Sequence, residues 1–442
     1  MYNENIKKSL MKNNKLIKME KKYLKRYMDD DLERYLRMIG AVLIVGPKWC
    51  GKTTTAEKHA KSVIKLQDTK RRETYKTWAE FDPDRLLEGD KPKLIDEWQM
   101  APILWDTVRN SVDEIGGEGL YILTGSTVVD ESKIMHSGTG RIHRVLMRPM
   151  SLYESLESNG KISLMELFDN PDLDINGITS DLTVDDLIFA TCRGGWPESV
   201  MKKDREAQLF VAKSYVQNIC NTDISAIDGV KRNPDKVMSL LKSLARNNST
   251  LVNDKTILAD INVNENMSNG TYYSYIKALK DLFVIEEIRG WAPNIKSKTS
   301  MRSRNKKIFI DPSIAIATLK MSPEACEDDL SLFGFLFENL CIRDLSIYTS
   351  PLDGNINYYH DKSDIEIDCV VHLNDNRYAL IECKLGSEKI DEGAKNLLKI
   401  NKLIEKHDEL NNPSFLAVLT GGEVAYTRPD GVKVIPIGCL KQ

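Results

Sequence analysis

Unbroken apolar runs, rather than alternating ones, mark the first half of the chain. Ala41-Val42-Leu43-Ile44-Val45 has no polar position, which predicts a strand covered on both faces. Leu120-Tyr121-Ile122-Leu123 reads the same way, and so does the shorter Leu94-Ile95, cut back by Pro92 and Lys93. Between these runs the spacing turns helical: over residues 53 to 64, Ala56, Ala60, Val63 and Ile64 fall on one side. Small or polar residues close each strand and helical stretches separate them. A parallel sheet follows, with its ligand at the C-terminal strand edge.

Further on the order becomes helix, turn, helix, turn, helix and strand over residues 235 to 291. Val237, Leu240, Leu241 and Leu244 make the first apolar stripe, residues 256 to 261 continue, and Ser268-Asn269-Gly270-Thr271 cap a helix running to Leu282. Residues 283 to 288 end it as a strand. This is the order of a winged helix, with Thr271, Tyr272, Tyr273, Tyr275 and Lys277 on the recognition helix; such modules read DNA or contact proteins. Residues 307 to 311 then open a C-terminal domain, with a helix around residues 333 to 340. Residues 365 to 371 and 378 to 384 form two strands joined by Asn374-Asp375-Asn376, a hairpin signal. An odd-numbered loop pairs Leu373 with Arg377 and sets Asp368 opposite Glu382. One face is then Ile367, Cys369, Val371, Ala379, Ile381 and Cys383; the other gathers Glu366, Asp368, His372, Glu382 and Lys384 around Val370 and Leu380.

With 442 residues, the chain exceeds what one core usually supports. The expected division is a basic helical extension (1–34), an α/β P-loop domain with a parallel sheet (35–200), a helical connector with the winged helix (201–295) and an α/β domain with a mixed sheet (308–442). No apolar run approaches the roughly 20 residues that span a bilayer, and no signal-peptide stretch follows the first lysines. No membrane contact and a cytoplasmic location are therefore expected. The eight cysteines are scattered singly and the six histidines are dispersed, so reduced thiols are expected and zinc is not. A net charge of −3 predicts no bulk affinity for nucleic acid. Two segments depart from it: residues 7 to 26 hold nine basic residues against Glu20, and residues 296 to 307 hold six with no acid. Each is either solvated surface or a contact to phosphate backbone.

The chemistry begins directly after the first apolar run. Gly46-Pro47-Lys48-Trp49-Cys50-Gly51-Lys52-Thr53 matches the phosphate-binding loop G-x-x-x-x-G-K-[ST]. The glycines let amides close round a triphosphate, Lys52 supplies charge and the Thr53 hydroxyl can ligate Mg²⁺, with Thr54 beside it. Asp96 and Glu97 close the strand at Leu94-Ile95: Asp96 is suited to holding Mg²⁺ through water and Glu97 to orienting the attacking water. After the next strand, Thr124-Gly125-Ser126 offers hydroxyls that can sense the γ-phosphate, Ser126 foremost. Arg141 is a candidate arginine finger, and Arg193 a candidate contact from a lid.

Taken together, GPKWCGKT, LIDEWQ, LTGS, GRIHRVLMRPMSLYES and RGGWPES resemble the prokaryotic AAA-type ATPases that carry a nuclease-like C-terminal domain. The likeness extends over nearly the whole chain, including Tyr23-Leu24-Lys25-Arg26. Asp368, Glu382 and Lys384 resemble the PD-(D/E)XK constellation, and the resemblance adds Glu338 on the preceding helix. It implies a second Mg²⁺ or Mn²⁺ on Glu338, Asp368 and Glu382, with Lys384 steadying the attacking hydroxide. Such domains also bind without cleaving. The expectation is a Mg²⁺-dependent ATPase that engages DNA, able to form a homo-oligomer. The alternative is a non-cleaving ATP-dependent signalling or assembly switch with a protein partner.

Overall fold

In the computed structural model, the described residues are 23–127, 137–293, 304–361, 365–407 and 410–442. Most of both basic segments, residues 7 to 26 and 296 to 307, lies outside them. The first layer is a five-stranded parallel sheet in the order β2-β3-β4-β1-β5. Its strands are β1 (Ala41–Val45), β2 (Ser62–Lys65), β3 (Lys93–Asp96), β4 (Tyr121–Gly125) and β5 (Ile142–Leu146). Helix α1 (Tyr27–Leu36) precedes the sheet, α2 (Lys52–His59) leaves the phosphate loop, and α3 (Arg72–Phe81) and α4 (Ile103–Ile115) connect later strands. Every residue of β1, β3 and β4 is buried, and apolar clusters cover both faces of the sheet, as an all-apolar central strand requires. Residues 62 to 65 correct the expected helix over 53 to 64. The helix stops at His59, and Val63 and Ile64 pair with Leu94 and Ile95 as an edge strand; β-branched neighbours favour that outcome.

The middle of the chain is helical. Helices α5 (Val184–Arg193) and α6 (Arg205–Asn218) lead to α7 (Pro234–Arg246), α8 (Asp254–Asn262) and α9 (Asn269–Asp281). Side chains of Asn233, Asn253 and Ser268 cap the last three, the Ser268 cap as anticipated. Strands β6 (Ile285–Gly290) and β7 (Lys306–Phe309) form an antiparallel pair after α9. That pair continues into the C-terminal sheet, because β6 also runs parallel to β8 (Asn355–His360).

The second sheet has eight strands in the order β12-β13-β11-β10-β9-β8-β6-β7. The remaining strands are β9 (Glu366–His372), β10 (Tyr378–Lys384), β11 (Phe415–Thr420), β12 (Tyr426–Thr427) and β13 (Lys433–Pro436). Parallel and antiparallel pairs are mixed. Helices α10 (Pro312–Leu319) and α11 (Leu330–Thr349) share one large core with the middle helices and one sheet face, and α12 (Ile390–Ile404) covers the other. The β9–β10 register is the expected one: Leu373 N donates to Arg377 O at 2.8 Å and Cys369 lies opposite Ile381, which carries Asp368 opposite Glu382. Ile367 is the exception. A bulge against β8 between Ile367 and Val370 turns Ile367 toward the α12 cluster, away from Cys369.

Candidate functional site

The phosphate loop is fixed by its glycines and by distant partners. Gly46 has φ +149, and a Cβ there would meet Met147 O at 2.2 Å; Gly51 has φ +104, a conformation side chains resist. Gly46→Ala is therefore expected to abolish binding of a fluorescent ATP analogue while circular dichroism retains the native helix content. Lys52 is buried, and its Nζ donates to Gly46 O at 2.9 Å and Pro47 O at 2.7 Å. Cys50 is buried with Sγ 3.4 Å from Met147 O. Lys48 pairs with Asp223 at 2.7 Å and Trp49 packs against Tyr215, so the loop tip touches the middle helices. Thr53 and Thr54 face a cleft of about 1690 Å³ that also reaches Glu97, Gln99 and Ser126.

Two strand ends, those of β3 and β4, converge behind the loop. Asp96 is fully buried, and its Oδ1 accepts from Thr53 Oγ1 at 2.6 Å and Thr124 Oγ1 at 2.7 Å. Glu97 sits at φ 56, a left-handed conformation costing about 1–3 kcal/mol for a non-glycine residue. Its N–H donates to Thr124 Oγ1 at 3.2 Å, and its Oε2 accepts from Ser126 Oγ at 3.1 Å and from Gln99 Nε2. Gln99 carries a second signal: its Oε1 is buried without a hydrogen-bond partner among the described residues. Sequence reasoning gave no role to Gln99 or Arg26. Arg26 spans the site from the N-terminal side, donating to Cys50 O and Arg148 O at 2.8 Å each and pairing with Glu154 at 3.0 Å. The motif blocks around residues 26 and 154 carried that signal, but only the fold pairs them.

The two other arginines lie elsewhere. Arg141 precedes β5, at the edge of the sheet opposite the phosphate loop, about 16 Å away along the strand, and pairs with Asp113 at 2.7 Å. It cannot reach the phosphates of its own loop. Arg193 is buried against Glu157 and the Gly194 carbonyl. Its expected contact from a lid is corrected to a structural ion pair.

On α9, Tyr272 and Tyr275 are buried: Tyr272 donates to Asp254 at 2.7 Å and Tyr275 accepts from Asn233 N at 3.1 Å. Of the expected recognition residues, Tyr273 and Lys277 are exposed, Thr271 is half-buried, and Lys277 pairs with Asp281. The solvent face is thus narrower than the sequence suggested.

The C-terminal sheet brings Glu338, Asp368, Glu382 and Lys384 together. Lys384 Nζ pairs with Asp368 at 3.2 Å and Glu382 at 2.5 Å, and Asp368 also accepts from Cys383 N at 2.8 Å. Lys306, which the sequence did not single out, lies at 3.0 Å from Glu338 and 2.5 Å from Glu366. Burial, reinforced by Asp368, pushes the Glu382 carboxyl well above the usual range, and burial does the same to Glu338 against the pull of Lys306. Burial opposes ionisation of Asp368, yet Lys384 and Lys306 hold its carboxyl below the usual range. Among the described residues, no group of three or more His, Cys, Asp or Glu side chains could hold a metal ion, and no helix is long and apolar enough to cross a membrane.

Three family models match separate parts of the chain. Residues 39–156 match the AAA domain model, residues 184–325 a domain of unknown function, DUF8612, and residues 333–440 another, DUF4143. No curated protein matches. Among solved structures, a Walker-type ATPase of Pyrococcus abyssi is 15% identical with a TM-score of 0.43, covering 67% of this chain and 96% of that one. A structure of Drosophila ORC bound to DNA is 11% identical with a TM-score of 0.19, covering 66% and 93%. A Signal Transduction ATPase with Numerous Domains protein with a tetratricopeptide repeat sensor, from Pyrococcus horikoshii, is 13% identical with a TM-score of 0.21, covering 75% and 49%. The AAA match spans the strand, the loop and the acidic pair just described. This part of the chain is a P-loop ATPase domain of the AAA type.

Proposed function

We propose that the chain hydrolyses ATP with Mg²⁺ at residues 46 to 53 and that nucleotide state governs how it engages DNA. The observation that carries this reading is the convergence of Thr53, Asp96 and Thr124, with Glu97 held beside them by Ser126 and Gln99. The residues fit the ligand: loop amides, Lys52 and Thr54 would hold the triphosphate, and the Thr53 and Asp96 oxygens would hold Mg²⁺. When bound, Mg²⁺ neutralises charge on the phosphate oxygens. Lys52 exchanges the carbonyls of Gly46 and Pro47 for phosphate. Glu97 accepts a hydrogen bond from the attacking water and polarises it.

Gln99 belongs to this set. Its Nε2 faces the Glu97 carboxylate, which fixes the amide so that Oε1 points the other way, unpartnered among the described residues. Gln99→Ala is expected to lower kcat on the order of 10- to 100-fold with KM little changed; an unaltered kcat in a steady-state assay would remove Gln99 from the reaction. Arg141, on the far edge of its own sheet, acts as a finger only toward the nucleotide of a second copy, which requires a homo-oligomer.

DNA contact is assigned to the winged-helix order α7-α8-α9-β6-β7, through Tyr273, Ser274 and Lys277 and the basic residues Lys296, Lys298 and Arg302. The C-terminal sheet is read as nuclease-like because Glu338 on α11 lies near the Asp368 carboxylate, which Lys384 pairs together with Glu382. Binding to duplex DNA should weaken steeply with salt and be lost on charge reversal of Lys296, Lys298 and Arg302. No binding at low salt would sink the DNA reading. It would leave the second one, an ATP-dependent switch toward a protein partner, which the Lys48–Asp223 and Trp49–Tyr215 contacts between loop and middle helices favour.

A further inference from the structure

Lys306 is a buried charge that the nucleotide site does not use. Its side chain is fully buried, it lies on β7 at the edge of the eight-stranded sheet, and no part of the nucleotide site contacts it. Its Nζ reaches Glu338 Oε1 at 3.0 Å and Glu366 Oε1 at 2.5 Å, and stands 5.4 Å from the Tyr358 ring. Tyr358 closes over it and donates to the Arg304 carbonyl. Lys384 meets the remaining carboxylates, Asp368 and Glu382. All four acids are therefore engaged by two ammonium groups.

A divalent ion does not fit this arrangement. Mg²⁺, Mn²⁺ or Ca²⁺ needs oxygen lone pairs turned toward one point, whereas an ammonium group fills those lone pairs by donating hydrogen bonds to them. We infer that Lys306 is the resident cation of the C-terminal cluster, standing in place of the divalent ion that the PD-(D/E)XK resemblance implies, and that the domain carries no metal-dependent cleavage. To admit a metal, Lys306 must leave a fully buried position beneath Tyr358 and abandon Glu338 and Glu366 together. Truncating it instead opens the space and frees Glu338, which is buried, and Glu366, which is partly exposed; the buried carboxyl is then left to a proton or to a new cation, and Mn²⁺ in excess competes for it. The cluster is then a structural joint: Lys306 ties β7 to α11 through Glu338 and to β9 through Glu366. None of this depends on ATP hydrolysis.

The test is Mn²⁺ binding by electron paramagnetic resonance on the nucleotide-free full chain, with metal on the order of 1 mM. The wild-type titration should be unchanged by Asp368→Asn, and Lys306→Gln should add about one bound ion that is lost again when Asp368→Asn is combined with it. Wild-type binding that Asp368→Asn removes would overturn the inference, as would a folded Lys306→Gln that binds no additional ion. If Lys306→Gln does not fold, the wild-type and Asp368→Asn titrations decide alone. Plasmid nicking by the wild type with Mn²⁺ that Asp368→Asn abolishes would also overturn it.

Discussion

ATP turnover by Glu97→Gln should fall about 10²- to 10⁴-fold, the usual worth of a positioned base, while ATP still binds. The reasoning rests on position. Glu97 is held at a left-handed φ of 56 by a backbone bond to Thr124 and carboxylate bonds to Ser126 and Gln99, so the amide replaces the carboxylate without disturbing Asp96. Asp96 keeps its own partners, Thr53 and Thr124, and with them the expected grip on Mg²⁺. Equilibrium binding of labelled ATP together with a phosphate-release assay separates the two effects. Equal loss of both would mean that Glu97 supports the loop rather than the reaction.

The second large effect is on stability. Arg343 is fully buried between Asp311 and Asp344, at 2.8 and 2.7 Å. Asp344 accepts from Leu152 N at 2.9 Å, and Asp311 from Gly195 N at 3.0 Å. This network joins α11 to the two segments that follow the ATPase sheet. Arg343→Met leaves two carboxylates buried without their cation and should cost about 3–5 kcal/mol, read as a lower midpoint of the first urea transition with its slope retained. An unchanged midpoint would mean that the network is not what joins these parts. Replacing an exposed pair such as Lys76 with Glu73 should change stability by less than about 1 kcal/mol.

What the sequence disclosed and what it withheld divide by distance along the chain. The loop of residues 46 to 53 and the β9–β10 register are local: the first is a contiguous pattern, and the second follows from the parity of a short turn. Residues 62 to 65 misled because helical spacing and an edge strand share the same Val63-Ile64 pair over so short a run. Ile367 misled because a bulge interrupts the two-residue period of its strand. Tyr272 and Tyr275 fall on the expected reading face of their helix by spacing, yet their hydroxyls are bound by Asp254 and Asn233, partners that lie 18 and 42 residues away in sequence. Arg26 with Glu154, and Lys306 with Glu338 and Glu366, were out of reach for the same reason. Long-range ion pairs leave no spacing rule in the chain.

The central claim is that the loop at Lys52 turns over ATP. Steady-state phosphate release by the purified chain with Mg²⁺, compared with Lys52→Ala, tests it most directly. Turnover by the wild type is expected, lost in Lys52→Ala and on chelation of Mg²⁺; a rate retained in Lys52→Ala would contradict turnover at this loop.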